Sequence, residues 1–211
     1  KLIADVGLVG FPNAGKSTLL GAVSKAHPRT APYPFTTLQA NVGVVDTADY
    51  RRITIADIPG LIDGAHRNVG LGEAFLRHIE RCRLFCYVLD MAGVDGRDPV
   101  EDLSVLRREL ELYDPGMSAR PFLIAANKID LPESDDNLQR LRESEPPGTV
   151  IVPLCAELQE GTASLVETMQ RMLDELPPED EAATRRILAR HHRTLAEPDA
   201  LKQDAFSGWD G

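Results

Sequence analysis

Apolar runs and amphipathic segments alternate along most of the chain. The apolar runs predict six strands, at residues 4–9, 40–46, 53–57, 84–90, 121–127 and 150–155. Segments with a 3.6-residue apolar period predict helices at residues 18–25, 70–80, 100–113, 136–143 and 164–176. This alternation is typical of a mostly parallel sheet with helices on both faces and ligand sites at the carboxyl ends of its strands.

The second and third predicted strands have only the short link 47–52 between them, which is too short for a helix. They are therefore expected to pair as an antiparallel hairpin at the edge of the sheet. The prediction is an α/β fold with a six-stranded, mostly parallel sheet and one antiparallel edge strand.

Residues 1–177 are predicted to form one domain and residues 178–211 a C-terminal extension. Pro177 and Pro178 end the last helix, and an acidic run at 179–181 marks a change of composition. The arginine- and histidine-rich stretch 182–196 predicts a helix outside the core, either a solvated helix or an arm that binds a partner or RNA. The end of the extension is expected to be flexible. Because Lys1 opens directly on a strand, we expect the chain to be a piece of a longer protein.

Composition narrows the classes of function. The formal net charge of −10 argues against a broadly basic surface that grips nucleic acid by charge, although a local basic face stays possible. The sequence contains neither a bilayer-spanning apolar stretch nor a secretory leader pattern, so we predict no membrane insertion. The three cysteines, Cys82, Cys86 and Cys155, lie in apolar or junction settings and are predicted to be buried thiols in a reducing compartment.

The first strand leads into a glycine-containing loop and then a helix, an arrangement suited to phosphate. Gly10 and Gly15 let the backbone curl around an anion, and the new helix adds the positive end of its dipole. Lys16 is expected to reach the β- and γ-phosphates, and the Ser17 hydroxyl to hold Mg²⁺. An ordinary turn is disfavoured because both strand and helix context are present. The residues assigned to this site are Gly10, Phe11, Pro12, Asn13, Ala14, Gly15, Lys16, Ser17 and Thr18. The fold class is therefore that of a P-loop NTPase.

Two further segments are assigned to magnesium and the terminal phosphate. Asp57 closes the third strand and can bind Mg²⁺ through its water shell, while the Gly60 amide can approach a γ-phosphate. In the loop at 33–38, Phe35, Thr36 and Thr37 are assigned to nucleotide binding. We favour Thr37 over Thr36 as the threonine that completes the magnesium coordination, with turn capping as the alternative for both hydroxyls.

The segment Asn127-Lys128-Ile129-Asp130 closes another strand and indicates guanine. The Asp130 carboxylate can accept hydrogen bonds from N1 and N2 of guanine, which adenine cannot offer. Asn127 is expected to tie the base loop to the phosphate loop, and the stem of Lys128 to cover the ring. After the last strand, a backbone amide of Cys155 or Ala156 can meet guanine O6. That signal is weak by itself.

Together these motifs resemble the G domain of the Obg family of translation-associated GTPases. The resemblance covers about residues 1–176 and includes segments 57–66, 70–72 and 75–80 besides those above. It implies hydrolysis of GTP to GDP and phosphate with Mg²⁺, as a switch in assembly of the large ribosomal subunit. The implied partners are the subunit precursor and its rRNA, with no membrane and a monomeric state. The implied compartment is a bacterial cytoplasm, with a mitochondrion or chloroplast as the alternative.

Two departures from the family pattern accompany this resemblance. The family's glycine-rich N-terminal domain is absent from these residues, and Cys155 stands where the last guanine motif usually has serine. A thiol is a poorer hydrogen-bonding partner than a hydroxyl, so guanine affinity is expected to soften slightly.

The hydrolytic apparatus is the least specified part of the sequence. Leu61 stands where small signalling GTPases have a water-positioning glutamine, and His66 is a weaker candidate for that role. By resemblance to GTPases with an apolar residue there, Asn13 is expected to help bind K⁺, whose charge would offset the charge developing on the phosphoryl group. The catalytic set is then Lys16, Thr37, Gly60 and Asn13, with slow turnover unless K⁺ or the ribosome stimulates it.

Two other functions stay open at this stage. One is a different P-loop enzyme, an ATPase or kinase, against which Asp130 counts. The other is a nucleotide-binding interaction module with negligible hydrolysis, which Leu61 leaves open.

Overall fold

The computed structural model describes residues 4–24, 29–32, 39–47, 49, 51–57, 82–113 and 115–177. Residues Leu2–Leu176 form one of two compact units of the chain. The predicted helix at 70–80, the loop at 33–38, the segment 58–67 and the extension 178–211 lie outside the described residues. The domain boundary therefore stays a prediction.

The described residues form seven strands and four α-helices. The strands are β1 Ala4–Val9, β2 Arg29–Pro32, β3 Gln39–Asp46, β4 Arg52–Asp57, β5 Cys82–Asp90, β6 Phe122–Asn127 and β7 Ile151–Leu154. The helices are α1 Lys16–Val23, α2 Pro99–Tyr113, α3 Ser134–Ser144 and α4 Thr162–Glu175, with a short 3-10 turn at Met117–Ala119. Among the described residues, no helix has the length and apolar character needed to cross a bilayer.

The sheet has the order β2-β3-β4-β1-β5-β6-β7. The strands from β4 to β7 pair in parallel, and β3 is antiparallel to both β2 and β4. The predicted α/β class, with its mostly parallel sheet and antiparallel hairpin, is confirmed.

One detail of the predicted sheet needs correction. All six predicted strands are present, but β2 adds a seventh, so β3 lies one place inside the edge where it was expected. The reason is that β2 has only four residues and ends on Pro32. Proline removes a ladder donor and hides the strand signal, yet it is tolerated on an outer strand.

Side chains on the two faces of the sheet fill two separate apolar layers. On β5, Phe85 and Tyr87 point into the layer that holds α2 and α3, while Leu84 and Val88 point into the layer that holds α1 and α4. Each of these four is at most 1% exposed. A central parallel strand buried on both faces reads as a continuous apolar run, which explains why β5 was easy to predict.

The apolar period of α2 and α4 places most of its leucine and methionine side chains in the core, while Met172 of α4 and Leu176, directly after it, are only partly buried. Leu103, Leu106 and Leu110 of α2 are at most 2% exposed, and Leu165 and Met169 of α4 at most 1%. Each buried leucine of this kind contributes about 1.5–3 kcal/mol relative to an exposed one. The two layers fix the sheet so that β1, β4, β5, β6 and β7 present their carboxyl ends at one pole of the molecule.

Candidate nucleotide site

A cavity of about 650 Å³ lies at the carboxyl ends of the parallel strands. Its lining comes from four separate parts of the sequence, which the parallel sheet brings to the same pole. The lining residues are Gly10, Pro12, Asn13, Gly15, Lys16, Ser17, Thr18, Asp57, Asn127, Lys128, Asp130, Leu131, Cys155, Ala156 and Glu157. A cavity of this size and polarity matches a small-molecule site.

The phosphate loop between β1 and α1 is shaped by backbone conformations that few residues adopt. Asn13 has φ 62° and Gly15 φ 96°, both in the left-handed region. A Cβ on Gly10 would lie 2.4 Å from the Val88 carbonyl oxygen, so no larger residue fits against β5. Gly15 is the N-cap residue and brings no capping side chain, which leaves the first amides of α1 to an anion at the cavity.

Lys16 is held at the base of this loop. Its Nζ donates hydrogen bonds to the carbonyl oxygens of Gly10 at 2.8 Å and Phe11 at 3.0 Å. Burial lowers the pKa of Lys16, and the nearby charge of Asp57 acts in the opposite direction. A phosphate placed beside Nζ would favour the charged form and offset part of the cost of burial.

Asp57 and Ser17 form a pair suited to a hard cation. Ser17 Oγ donates to Asp57 Oδ2 at 2.7 Å, and Asp57 is only 4% exposed. Within the part of the chain that the structure describes, Asp57 Oδ1 has no hydrogen-bond partner. A buried carboxylate oxygen without a donor is costly by itself, and Mg²⁺ prefers such oxygen ligands with retained water. The two residues present therefore fit the magnesium that the sequence predicts.

Asn127 joins the phosphate loop to the loop after β7. Its Nδ2 donates to the Ala14 carbonyl at 2.8 Å, and its Oδ1 accepts from the Ala156 amide at 3.0 Å. The residue is 2% exposed, and a Cβ on Gly15 would lie 2.2 Å from Nδ2. The hydrogen bond to Ala14 is the predicted tie between the base loop and the phosphate loop. The hydrogen bond from Ala156 adds the loop after β7, which was not predicted.

Asp130 and Lys128 lie on the same side of the cavity, after β6. Lys128 has φ 65°, and its Nζ forms a 2.6 Å ion pair with Asp90 Oδ2. Asp90 Oδ1 also accepts from the Ala92 amide at 3.0 Å. This partner at the end of β5 holds the Lys128 ammonium, and Lys128 lines the cavity.

Cys155 is buried and also lines the cavity. Burial raises the pKa of the Cys155 thiol, and a hydrogen bond to Asp130 acts in the same direction. Cys155 N donates to the Glu160 carbonyl at 3.0 Å, and Ala156 N donates to Asn127 as described above. Both amides predicted to meet guanine O6 therefore already have protein partners, and a base would have to share one of them.

All three cysteines are thiols outside any disulfide and are buried, as predicted. Burial raises the pKa of Cys82 and of Cys86 to about 12. Cys155 differs from them because it lines the cavity.

Some residues that line the cavity were not predicted from the sequence, and some predicted site residues lie outside the described residues. Leu131 and Glu157 line the cavity, and Asp90 supports Lys128, although none of them was predicted. A polar residue that ends a buried strand was the available signal for Asp90, as it was for Asp57 and Asn127. Among the predicted site residues, Phe35, Thr36, Thr37 and Gly60 lie outside the described residues.

The family model for 50S ribosome-binding GTPases matches residues 5–128, more than half of the chain. The chain belongs to this family of GTPases. It is similar to the GTPase Obg of Roseiflexus castenholzii, with 54% identity over 190 residues, which is 87% of this chain and 43% of that protein. It is 53% identical to the GTPase Obg of Heliobacterium modesticaldum over 84% of this chain and 40% of that protein. The Obg resemblance predicted from the motifs is thus confirmed, and the chain spans less than half the length of these relatives.

Solved structures with this fold include more distant GTPases. Era of Aquifex aeolicus, bound to GDP·AlF4⁻, has a TM-score of 0.59 at 23% identity and covers 85% of this chain and 59% of that one. The G domain of the T. maritima FeoB iron transporter has a TM-score of 0.60 at 24% identity. The match covers 79% of this chain and 96% of that chain. At this identity the likeness concerns the fold alone.

Proposed function

We propose that the chain binds GTP with Mg²⁺ in this cavity and hydrolyses it to GDP and phosphate. The observation that carries the proposal is the position of Asn127, which holds the phosphate loop against the loop after β7. Because of it, Lys16 and Asp130 line one cavity and can contact the two ends of one nucleotide. The family match and the Obg relatives support the same activity.

The phosphate end is assigned to the residues around α1. Lys16 Nζ exchanges its carbonyl partners for the β- and γ-phosphates, and the first amides of α1 receive the remaining charge. Ser17, Asp57 and Thr37 would hold Mg²⁺, which would supply positive charge to offset the negative charge of the phosphates.

The base end is assigned to Asp130, Lys128 and the amides after β7. Asp130 accepts from N1 and N2 of guanine, Lys128 covers the ring with its stem, and the Ala156 amide is shared between Asn127 and O6. A site built on such groups rejects adenine because the mispaired polar groups would be left buried and unsatisfied.

Hydrolysis is proposed to be slow without help. Leu61 offers no group to orient water, so the Gly60 amide and Thr37 are assigned to the γ-phosphate and its attacking water. Asn13 is assigned to a K⁺ ion beside the phosphate loop, and K⁺ or ribosomal contact is expected to stimulate turnover. The whole protein is proposed to act on a large ribosomal subunit precursor and its rRNA, as a monomer. Because both similar Obg proteins come from bacteria, we favour a bacterial cytoplasm over an organelle.

A binding module with negligible hydrolysis is the second candidate, and Leu61 is the observation that favours it. Single-turnover hydrolysis with K⁺, with and without large ribosomal subunits, separates the two. Hydrolysis that stays at background in every condition would select the second candidate.

Replacing Asp130 by Asn tests the base assignment. In the wild-type protein, GTP should displace a bound fluorescent guanine nucleotide, whereas ATP should not. In Asp130→Asn, GTP affinity should fall by about 100-fold or more while xanthosine nucleotides gain, because an amide no longer accepts two hydrogen bonds from N1 and N2. An unchanged preference for guanine would remove this assignment.

A further inference from the structure

Residues 91–98, which link β5 to α2 and are called the β5–α2 segment here, touch the phosphate loop at two points. The guanidinium carbon of Arg97 lies 3.5 Å from the centroid of the Phe11 ring. Asn13 Nδ2 donates a hydrogen bond to Asp95 Oδ2 at 3.1 Å. Two residues of the phosphate loop, two positions apart, therefore contact the same segment.

The segment itself is firmly anchored on both sides of Asp95. Gly93 and Gly96 adopt φ 61° and 69°, and the Gly96 amide donates to the Gly93 carbonyl at 2.8 Å, which closes a tight turn. Next to the turn, Arg97 donates from Nε at 2.9 Å and from Nη2 at 2.7 Å to Asp102 Oδ1. Asp102 is only 6% exposed, so this charged pair fixes Arg97 on α2. The backbone at Asp95 thus has a defined position, from which the exposed carboxylate reaches Asn13.

The chemistry of this contact dictates how the Asn13 amide is turned. An ionised carboxylate only accepts hydrogen bonds, so Asn13 must present its NH2 group to Asp95. Its carbonyl oxygen Oδ1 then points away from Asp95. Asn13 lines the nucleotide cavity and Asp95 does not. Without the Asp95 carboxylate, the Asn13 amide group can rotate by 180°, so that Nδ2 takes the position of Oδ1.

We propose that Asp95 is a positioning residue that presents Asn13 Oδ1 to a monovalent cation beside the phosphate loop. This inference rests on the potassium site of the proposed function and names the residue that orients its ligand. Asp95 touches neither nucleotide nor ion. Asp95 contacts Asn13, which lines the cavity, so the negative charge of Asp95 also favours a cation beside Asn13.

The test compares two changes at Asp95 with a matched control. Asp95→Ala removes both the hydrogen bond and the charge, whereas Asp95→Asn keeps an oxygen that can accept from Asn13 Nδ2. Glu167→Ala removes an exposed carboxylate from α4 as the control. Single-turnover GTP hydrolysis is followed as K⁺ replaces Na⁺, and GDP affinity is measured in Na⁺ alone.

In Asp95→Ala, the K⁺ concentration for half-maximal stimulation should rise by about tenfold, the range expected for losing a group that orients a ligand. Asp95→Asn should raise it by about two- to threefold, and Glu167→Ala should match the wild type. GDP affinity in Na⁺ should stay within about twofold throughout. Asp95→Ala should add nothing further to Asn13→Ala, since Asp95 acts through Asn13.

A second readout does not depend on hydrolysis. The side-chain amide signals of Asn13, identified by their loss in Asn13→Ala, should shift in Asp95→Ala and stay unchanged in Glu167→Ala. A wild-type protein with equal rates in K⁺ and Na⁺ would remove the potassium site and this inference with it. A K⁺-stimulated wild type with the same K⁺ dependence in Asp95→Ala, or with unshifted Asn13 signals, would overturn the role of Asp95 alone.

Discussion

Replacing Asn127 by Ala should weaken both the fold and nucleotide binding. The change removes two hydrogen bonds and leaves the Ala14 carbonyl and the Ala156 amide without their partner in a buried setting. Each of the two buried polar groups left unsatisfied costs about 1–3 kcal/mol, so the free energy of unfolding should fall by about 2–6 kcal/mol. Asn127→Asp should cost at least as much, because its second oxygen would face the Ala14 carbonyl.

The same change should release nucleotide faster. With the two loops no longer tied, part of the binding energy has to order them again, and an added cost of about 1.4 kcal/mol corresponds to tenfold weaker binding. We expect GDP to dissociate about tenfold faster from Asn127→Ala. Urea unfolding of nucleotide-free protein, followed by circular dichroism, measures the first effect. Displacement of a fluorescent GDP analogue measures the second.

Asn137 provides the matched control. Its Nδ2 donates to the Met91 carbonyl at 2.8 Å, its Oδ1 accepts from exposed Arg140 at 3.0 Å, and it does not line the cavity. Asn137→Ala should cost about 1 kcal/mol of stability and leave GDP dissociation unchanged. If both variants lose equal stability and neither changes GDP dissociation, Asn127 is only a structural residue and the two-loop account is refuted.

Two further predictions concern Asp57 and the cysteines. Asp57→Asn should raise the Mg²⁺ concentration needed for half-maximal GTP binding by about tenfold, because the amide is a weaker ligand for the metal than the carboxylate. The stability of the nucleotide-free protein should not fall, because the buried Oδ1 without a partner belongs to a charged group only in the wild type. Magnesium titration in chelator-buffered solution measures this, and an unchanged requirement would exclude Asp57 from the metal site. At pH 8, Cys82 and Cys86 should resist alkylation in the folded protein, since a pKa of about 12 leaves only about 10⁻⁴ as thiolate. Cys155 should react faster than both and be protected by GDP, as mass spectrometry of the labelled protein can show; equal labelling of all three would contradict its place in the cavity.

The apolar pattern predicted the sheet well because its central strands are buried on both faces. The run from Leu84 to Asp90 has few polar interruptions, and a run of this kind between turn signals has few other interpretations. β2 escaped because a four-residue strand that ends on Pro32 carries little apolar signal. Its place in the sheet depends on pairing with β3, a contact between distant residues that no local pattern contains.

The candidate site was predicted from loops whose chemistry is local. Lys16, Asp57 and Asn127 each follow or end a strand in a short recognisable segment, so their convergence followed from the parallel topology. Asp95 and Arg97 could not be found in this way, because their role depends on contacts to Asn13 and Phe11 more than 80 residues away. The partner of the Ala156 amide, Asn127, likewise depends on a contact between distant parts of the chain.

The two outermost strands of the sheet, β2 and β7, have four residues each, and each contains a proline, Pro32 or Pro153. Such short edge strands offer few free backbone N–H groups with which a strand of another polypeptide can pair. Self-association by strand addition is therefore disfavoured even at high concentration. A macromolecular binding partner therefore has to recognise helices and loops. The specificity of its binding will depend on side-chain contacts more than on backbone hydrogen bonds.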